Sequence, residues 1–218
     1  MRNLNDINTK ALVNKVYVGT DAEGIAIYGN RLFVALKEGV RVFDISKPEL
    51  PTLITIRSSA ATGPAKHLTF DESGKLWSSF PDKGLVQIDP VSYAVLAVVD
   101  VPVDGMDGYI TSDSKGANII TYYTKFNDQY MPEKASVYSV NVKTKALTEL
   151  YSGTYFYGVG VSPATGNIYT AEVSFTSNSL MKVVDSNGSL INTATAGIGT
   201  CRFLFFRRIP LPEFQFNI

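Results

Sequence analysis

Val159-Gly160-Val161-Ser162-Pro163-Ala164-Thr165-Gly166-Asn167-Ile168-Tyr169 is an apolar run, a turn and a second apolar run. It reads as a β-hairpin, because glycine supplies the positive φ that a tight turn requires without steric penalty. Three other segments carry the same grammar. They are Ile25 to Val34 around Gly29, Leu68 to Trp77 around Gly74, and Ile110 to Ile120 around Gly116. Between them lies a second kind of hairpin. Val40–Asp44 is answered by Leu53–Ile56, Leu85–Asp89 by Ala94–Val99, Val137–Val142 by Ala146–Tyr151, and Leu180–Asp185 by Leu190–Thr195. Asp44, Asp89, Asn141 and Asp185 close the first strand of each pair. A short polar side chain there is expected to bond the turn backbone.

Aligning Ile25, Leu68, Ile110, Val159 and Phe203 gives spacings of 43, 42, 49 and 44 residues. Four strands in about 40–45 residues is the period of a propeller blade. The long interval holds an insertion, Phe126 to Lys134, expected to overhang one face. No segment of about ten residues has a helical apolar period. The fold class is therefore all-β. We expect a β-propeller of about four complete four-stranded blades with partial blades at both ends. A β-sandwich rich in hairpins would not need a fixed period.

The blade units fall at roughly 20–62, 63–104, 105–154 and 155–200, in one domain spanning 1–206. Leu4 to Leu12 matches the third-to-fourth-strand turn at Val140 to Leu147, so 1–19 reads as half a blade. Cys201 to Phe206 reads as a first strand, with Cys201 a buried small apolar residue. Residues 207–218 form a tail with Pro210 and Pro212. Either the tail pairs with the N-terminal hairpin and closes a small ring, or the chain is a truncated or frame-shifted piece of a larger propeller. The second reading is preferred because proline cannot donate to a ladder.

Composition limits the function. The 218 residues carry 20 basic and 20 acidic side chains and no long run of one sign. Such a chain has no electrostatic reason to seek nucleic acid. No stretch approaches the roughly 18 apolar residues of a membrane span, and Met1 to Lys10 has no apolar run that reads as a signal peptide. A single cysteine and a single histidine exclude Cys/His zinc sites. No calcium loop, phosphate loop or nucleophile elbow is present. The Asp104-Gly105-Met106-Asp107-Gly108 loop pairs two carboxylates, but Gly-Asp loops are usually turns. No cofactor and no metal site are expected. Trp77 is read as core.

Repeat alignment places one set of loops at one end of the ring. His67, Asp107, Tyr109, Tyr123, Tyr157, Glu172 and Arg202 are the candidate ligand-binding residues of this funnel rim, beside Lys37-Glu38, Lys66, Phe80 to Asp82 and Phe156. Aromatic and mixed charged groups converging on a funnel suit a small polar ligand or a protein partner. The competing view makes Tyr122, Tyr123 and Tyr157 packing residues between blades. His67 without placed partners is weak ground for catalysis.

Two segments carry a resemblance. Tyr157 to Glu172, and Asp185-Ser186-Asn187-Gly188-Ser189-Leu190 leading to Gly197 through Phe203, resemble the YncE-like (YVTN-type) β-propellers of the quinoprotein dehydrogenase-like superfamily. They more closely resemble a group of bacterial envelope propeller lipoproteins of unknown function. The resemblance spans residues 20 to 206 and departs from that group in lacking an export signal and about two blades. It implies the cell envelope, and a regular repeat with no catalytic constellation points to a non-catalytic binding or scaffold propeller. The alternatives are a quinoprotein- or lactonase-like enzyme holding a metal or cofactor in the funnel, or a non-functional product of a damaged gene.

Overall fold

The inner strands of this chain are short and the middle strands are apolar on both faces, which is the pattern of sheets stacked on each side. The computed structural model describes residues 2–5, 12–57, 63–81, 83–102 and 108–205. It begins with a hairpin, β1 (Arg2–Asn5) and β2 (Leu12–Val16). Four antiparallel sheets of four strands follow in chain order. The first holds β3 (Gly24–Tyr28), β4 (Arg31–Leu36), β5 (Gly39–Asp44) and β6 (Thr52–Ile56). The second holds β7 (Leu68–Phe70), β8 (Leu76–Phe80), β9 (Gly84–Ile88) and β10 (Val95–Val99). The third holds β11 (Ile110–Ser112), β12 (Asn118–Phe126), β13 (Pro132–Asn141) and β14 (Leu147–Gly153). The fourth holds β15 (Phe156–Val161), β16 (Ile168–Glu172), β17 (Leu180–Val184) and β18 (Leu190–Thr195). The described residues contain no helix. The chain is a β-propeller with these four sheets as blades.

Each predicted turn glycine adopts the required backbone. Gly29, Gly74, Gly116 and Gly166 have φ between 55° and 75°. The four turn-closing side chains also act as expected. Asp44 accepts from Ser46 N, Asp89 from Val91 N and Ser92 N, Asn141 from Lys143 N and Thr144 N, and Asp185 from Asn187 N and Ser189 N.

Neighbouring sheets share apolar layers. Phe33, Ala35 and Val42 of the first sheet meet Leu76, Phe80 and Val86 of the second. Trp77 and Leu85 meet Ile119 and Val140 of the third. Ile120, Tyr122 and Val137 meet Phe156 and Ile168 of the fourth. Alternate residues of one strand thus serve opposite layers, as Leu76 and Trp77 do, and a one-residue register slip would exchange them. Trp77 is fully buried, as core.

A polar network crosses the second layer. The Trp77 indole N–H donates to Asp71 Oδ2 at 2.8 Å and Gln87 Nε2 donates to the same oxygen at 3.0 Å. Ser73 Oγ and Lys75 N donate to Asp71 Oδ1. From the third sheet, Lys145 donates to Gln87 Oε1 at 2.7 Å and stands 4.8 Å from the centre of the Trp77 ring. Burial raises the Asp71 pKa, yet the bonds from Ser73, Trp77, Lys75 N and Gln87 together hold it below the ordinary carboxylate value. Burial lowers the Lys145 pKa, opposed by the Asp71 charge.

Three expectations change. The insertion at Phe126 to Lys134 is partly ladder: Phe126 ends β12 and 132–134 begin β13, leaving a turn at 127–131. Cys201 to Phe205 joins no sheet among the described residues, although it lies against β15 at Gly158 and Gly160. Cys201 is exposed rather than buried. The tail at 207–218 lies outside the described residues.

Two predictions follow from this packing. At Gly188, φ is +88° and an added Cβ would lie 1.9 Å from the Leu150 carbonyl oxygen of the neighbouring sheet. At Gly29, φ is +55° and an added Cβ would meet nothing within 4 Å. Gly29→Ala should cost about 1 kcal/mol, or about 3 °C in Tm, from backbone strain alone. Gly188→Ala should cost about 3 kcal/mol or more, because backbone must also move. Equal melting shifts for the two would contradict the contact. The depressed Asp71 pKa sets the second. A carboxylate whose folded pKa is below its unfolded value stabilises above the unfolded pKa, and that stability disappears as pH falls through the folded one. The Tm gap between wild type and Asp71→Asn should therefore be widest near neutrality and shrink below about pH 4. A pH-independent gap would show that the charge is irrelevant.

Candidate functional site

The entry end of each inner strand lies opposite the exit end of the second strand, so two sets of loops share one rim. Register fixes this: Gly24 faces Ala35, Leu68 faces Ser78, Ile110 faces Thr121, and Phe156 faces Glu172. Hydroxyl side chains on the second strands hold the entry backbones. Ser79 Oγ accepts from His67 N at 3.2 Å. Thr121 Oγ1 donates to Tyr109 O at 2.8 Å, and Thr170 Oγ1 donates to Gly158 O at 2.9 Å. Thr124 links sheets, donating to Phe156 O at 2.9 Å and accepting from Phe156 N at 3.2 Å. These bonds fix where the rim side chains start.

His67 and Tyr109 come together, with ring centroids 4.8 Å apart. Beside them the Lys66 ammonium lies 2.7 Å from Glu23 Oε1. Lys66, Glu23, Lys37 and Asp21 line a recess of about 190 Å³ between the first and second sheets. Tyr157 belongs to a second cluster. It meets Phe175 edge-on at 5.6 Å and Tyr155 at 6.1 Å, while Tyr155 meets Phe126 at 5.6 Å and Phe175 at 6.1 Å. Phe175 keeps 58% of its surface exposed. Glu172 supports this cluster from below, accepting from Thr154 N at 3.0 Å with Lys182 at 3.5 Å. Its carboxylate is thus engaged in holding the loop that carries Tyr155.

The other candidates separate. Tyr123 is half-buried on β12. Arg202 is exposed and turns into a groove on the first sheet, away from the aromatic cluster. Asp107 and Asp82, with the 104–107 carboxylate loop, lie outside the described residues. Phe80 and Phe156, expected at the rim, are fully buried, because their side chains fall on the shared apolar faces. Tyr122 is likewise core, as the packing alternative held. Tyr155, Phe175 and Glu23 escaped the sequence reading. Phe175 had one usable signal, a lone aromatic in the serine-rich run Ser174 to Ser179. Glu38 has its pKa lowered by the Thr20 hydroxyl bond at 2.9 Å. Among the described residues, no three His, Cys, Asp or Glu side chains group to hold a metal.

Thr124→Val tests the link that sets the aromatic cluster. It keeps the shape but leaves the buried N–H and C=O of Phe156 unpaired, a cost of about 1–3 kcal/mol. The matching drop in chemical-denaturation midpoint should be absent in Thr144→Val, whose hydroxyl is on an exposed turn. An unchanged midpoint for Thr124→Val would remove the link from the account.

No protein family matches this sequence, and no curated protein is similar to it. Solved structures do match, 611 chains of them, which makes the fold common and leaves its use open. One is the crystal structure of the extracellular domain of a protein described as a one-component system of B. thetaiotaomicron. The likeness has a TM-score of 0.57 at 10% identity and covers 84% of this chain. The chain spans 23% of the length of that neighbour, and at this identity the two share a fold.

Proposed function

We propose that this chain is a non-catalytic binding propeller of the cell envelope, of the YncE-like kind, which takes a small polar ligand or a peptide at its rim. One observation carries the reading: aromatic rings stand grouped and partly exposed at the loop end of a rigid scaffold. The His67–Tyr109 pair and the Phe126, Tyr155, Tyr157, Phe175 cluster are both there, beside a charged recess. Aromatic side chains give large contact area at low entropic cost, and charged neighbours orient a polar ligand. Loops on a fixed sheet frame are where binding sites concentrate. The envelope assignment is supported by the extracellular origin of the solved neighbour and by the family resemblance.

The test is a panel of short peptides and oligosaccharides, read by calorimetry against wild type, Tyr109→Ala, Tyr157→Ala and Phe175→Ala. Compounds that bind should lose at least about tenfold in affinity in the rim variants, roughly 1.4 kcal/mol or more. Leu190→Ala, on the exposed outer strand β18, should bind as wild type does. Ligands indifferent to all three rim changes would defeat the proposal. Stoichiometric calcium in elemental analysis would favour the enzyme alternative.

A further inference from the structure

Inner strand β3 packs on β7, β7 on β11 and β11 on β15. The first sheet thus has a second face, beyond the one it shares with the second sheet. On that face Val18 packs with Val34, Leu36, Phe43 and Leu50 in a small buried cluster. The cover stops short of β3, where Ile25 and Ile27 remain 64% and 58% exposed. A groove of about 800 Å³ runs here, with Val18, Ile25, Ile27 and Leu32 among its apolar walls. Small-molecule sites are concave, hold roughly 300–1,000 Å³ and are mostly apolar, with a few charged groups that fix orientation.

Three charged side chains border the groove: Glu23, Lys47 and Arg202. They are not equivalent. Glu23 Oε1 lies 2.7 Å from the Lys66 ammonium, so its charge is already matched. Two other cations of the first sheet are engaged as well, since Arg31 donates to Pro90 O at 2.8 Å and Arg41 to Val18 O at 3.0 Å. Lys47 and Arg202 enter no ion pair among the described residues. Arg202 is held near the groove by its own segment. An added Cβ on Gly158 would lie 2.1 Å from Cys201 O, and Phe203 packs on Tyr169 with ring centroids 6.0 Å apart. An apolar wall with two unmatched positive charges at its margin is complementary to an alkyl chain that ends in an anion. A guanidinium fork suits a carboxylate in particular, through two parallel N–H···O bonds. Ile25 and Ile27 lie within a concave surface, which a single chain can enter and a flat bilayer cannot.

We propose that this groove binds a long-chain carboxylate, its alkyl chain along Ile25, Ile27 and Leu32 and its carboxylate at the Lys47 and Arg202 margin. The site is separate from the aromatic rim and does not rest on what the rim binds.

The test is calorimetric titration of the full-length chain with monomeric dodecanoate and decanoate. Dodecanoate should bind one to one. Each buried methylene strengthens binding about fourfold, so decanoate should bind about fifteenfold more weakly. Dodecyltrimethylammonium, with the same chain and the opposite charge, should bind at least about tenfold more weakly than dodecanoate. Ile25→Ser with Ile27→Ser should weaken dodecanoate at least about tenfold, and so should Lys47→Gln with Arg202→Gln. All four positions are exposed, so unchanged melting temperatures should show that these variants fold. Ile191→Ser, at an exposed position on β18 outside the groove, should bind as wild type does. Absence of saturable binding, or equal binding by every variant, would overturn the proposal. Binding to phosphatidylglycerol vesicles without binding of dodecanoate would overturn it in favour of a membrane surface. Self-association in sedimentation that the isoleucine variant abolishes, again without dodecanoate binding, would overturn it in favour of a second copy of the chain.

Discussion

Each sheet in this chain has two apolar faces and can bury neither by itself. Burial comes only from stacking, so the middle strands must be apolar on both sides while the outermost strand is released to solvent. β8 and β9 are buried at every position, whereas β18 is exposed at nearly all of its positions. At about 25 cal/mol per Å² of apolar surface, the shared layers supply most of the favourable free energy of folding. Each layer takes half its side chains from each neighbour, as repeat arrays with nearest-neighbour coupling do.

The same stacking explains why most polar groups in the layers are bonded, Ser78 Oγ being an exception among the described residues. Asp71 is almost without solvent contact and still ionised, because five donors replace its lost hydration. The indole of Trp77 is both a wall of the layer and one of those donors. Lys145 reaches across from the next sheet to Gln87 and the face of the same ring, which joins the two sheets by a directional contact as well as by apolar area. An apolar layer alone tolerates sliding, while this network accepts one alignment.

Much of this was legible in the sequence because it is local. Gly74 and Gly166 announce their turns by identity, Asp89 and Asp185 announce theirs by position, and the period of the apolar runs requires the stack. The rim was legible only in part. His67 and Tyr109 could be placed at the same end by repeat alignment, but their contact depends on how two sheets are rotated about a common axis. Phe80 and Phe156 were misplaced for a related reason: at a strand end, one residue of offset separates a rim side chain from a core one. Tyr155 and Phe175 meet from different loops, and no local pattern encodes such convergence. Cys201 was read as a small apolar residue at a strand start, and its segment joins no sheet among the described residues.

The uncovered face concentrates what remains. Exposed isoleucines lining a groove form an apolar surface of the kind that marks an interaction site or an aggregation liability. The two sides of the groove differ in kind. The first sheet offers aliphatic side chains, while segment 201–205 offers Arg202. An occupant that covered Ile25 and Ile27 would remove their apolar surface from water, and Glu23, Lys47 and Arg202 at the margins of the groove would meet its polar groups.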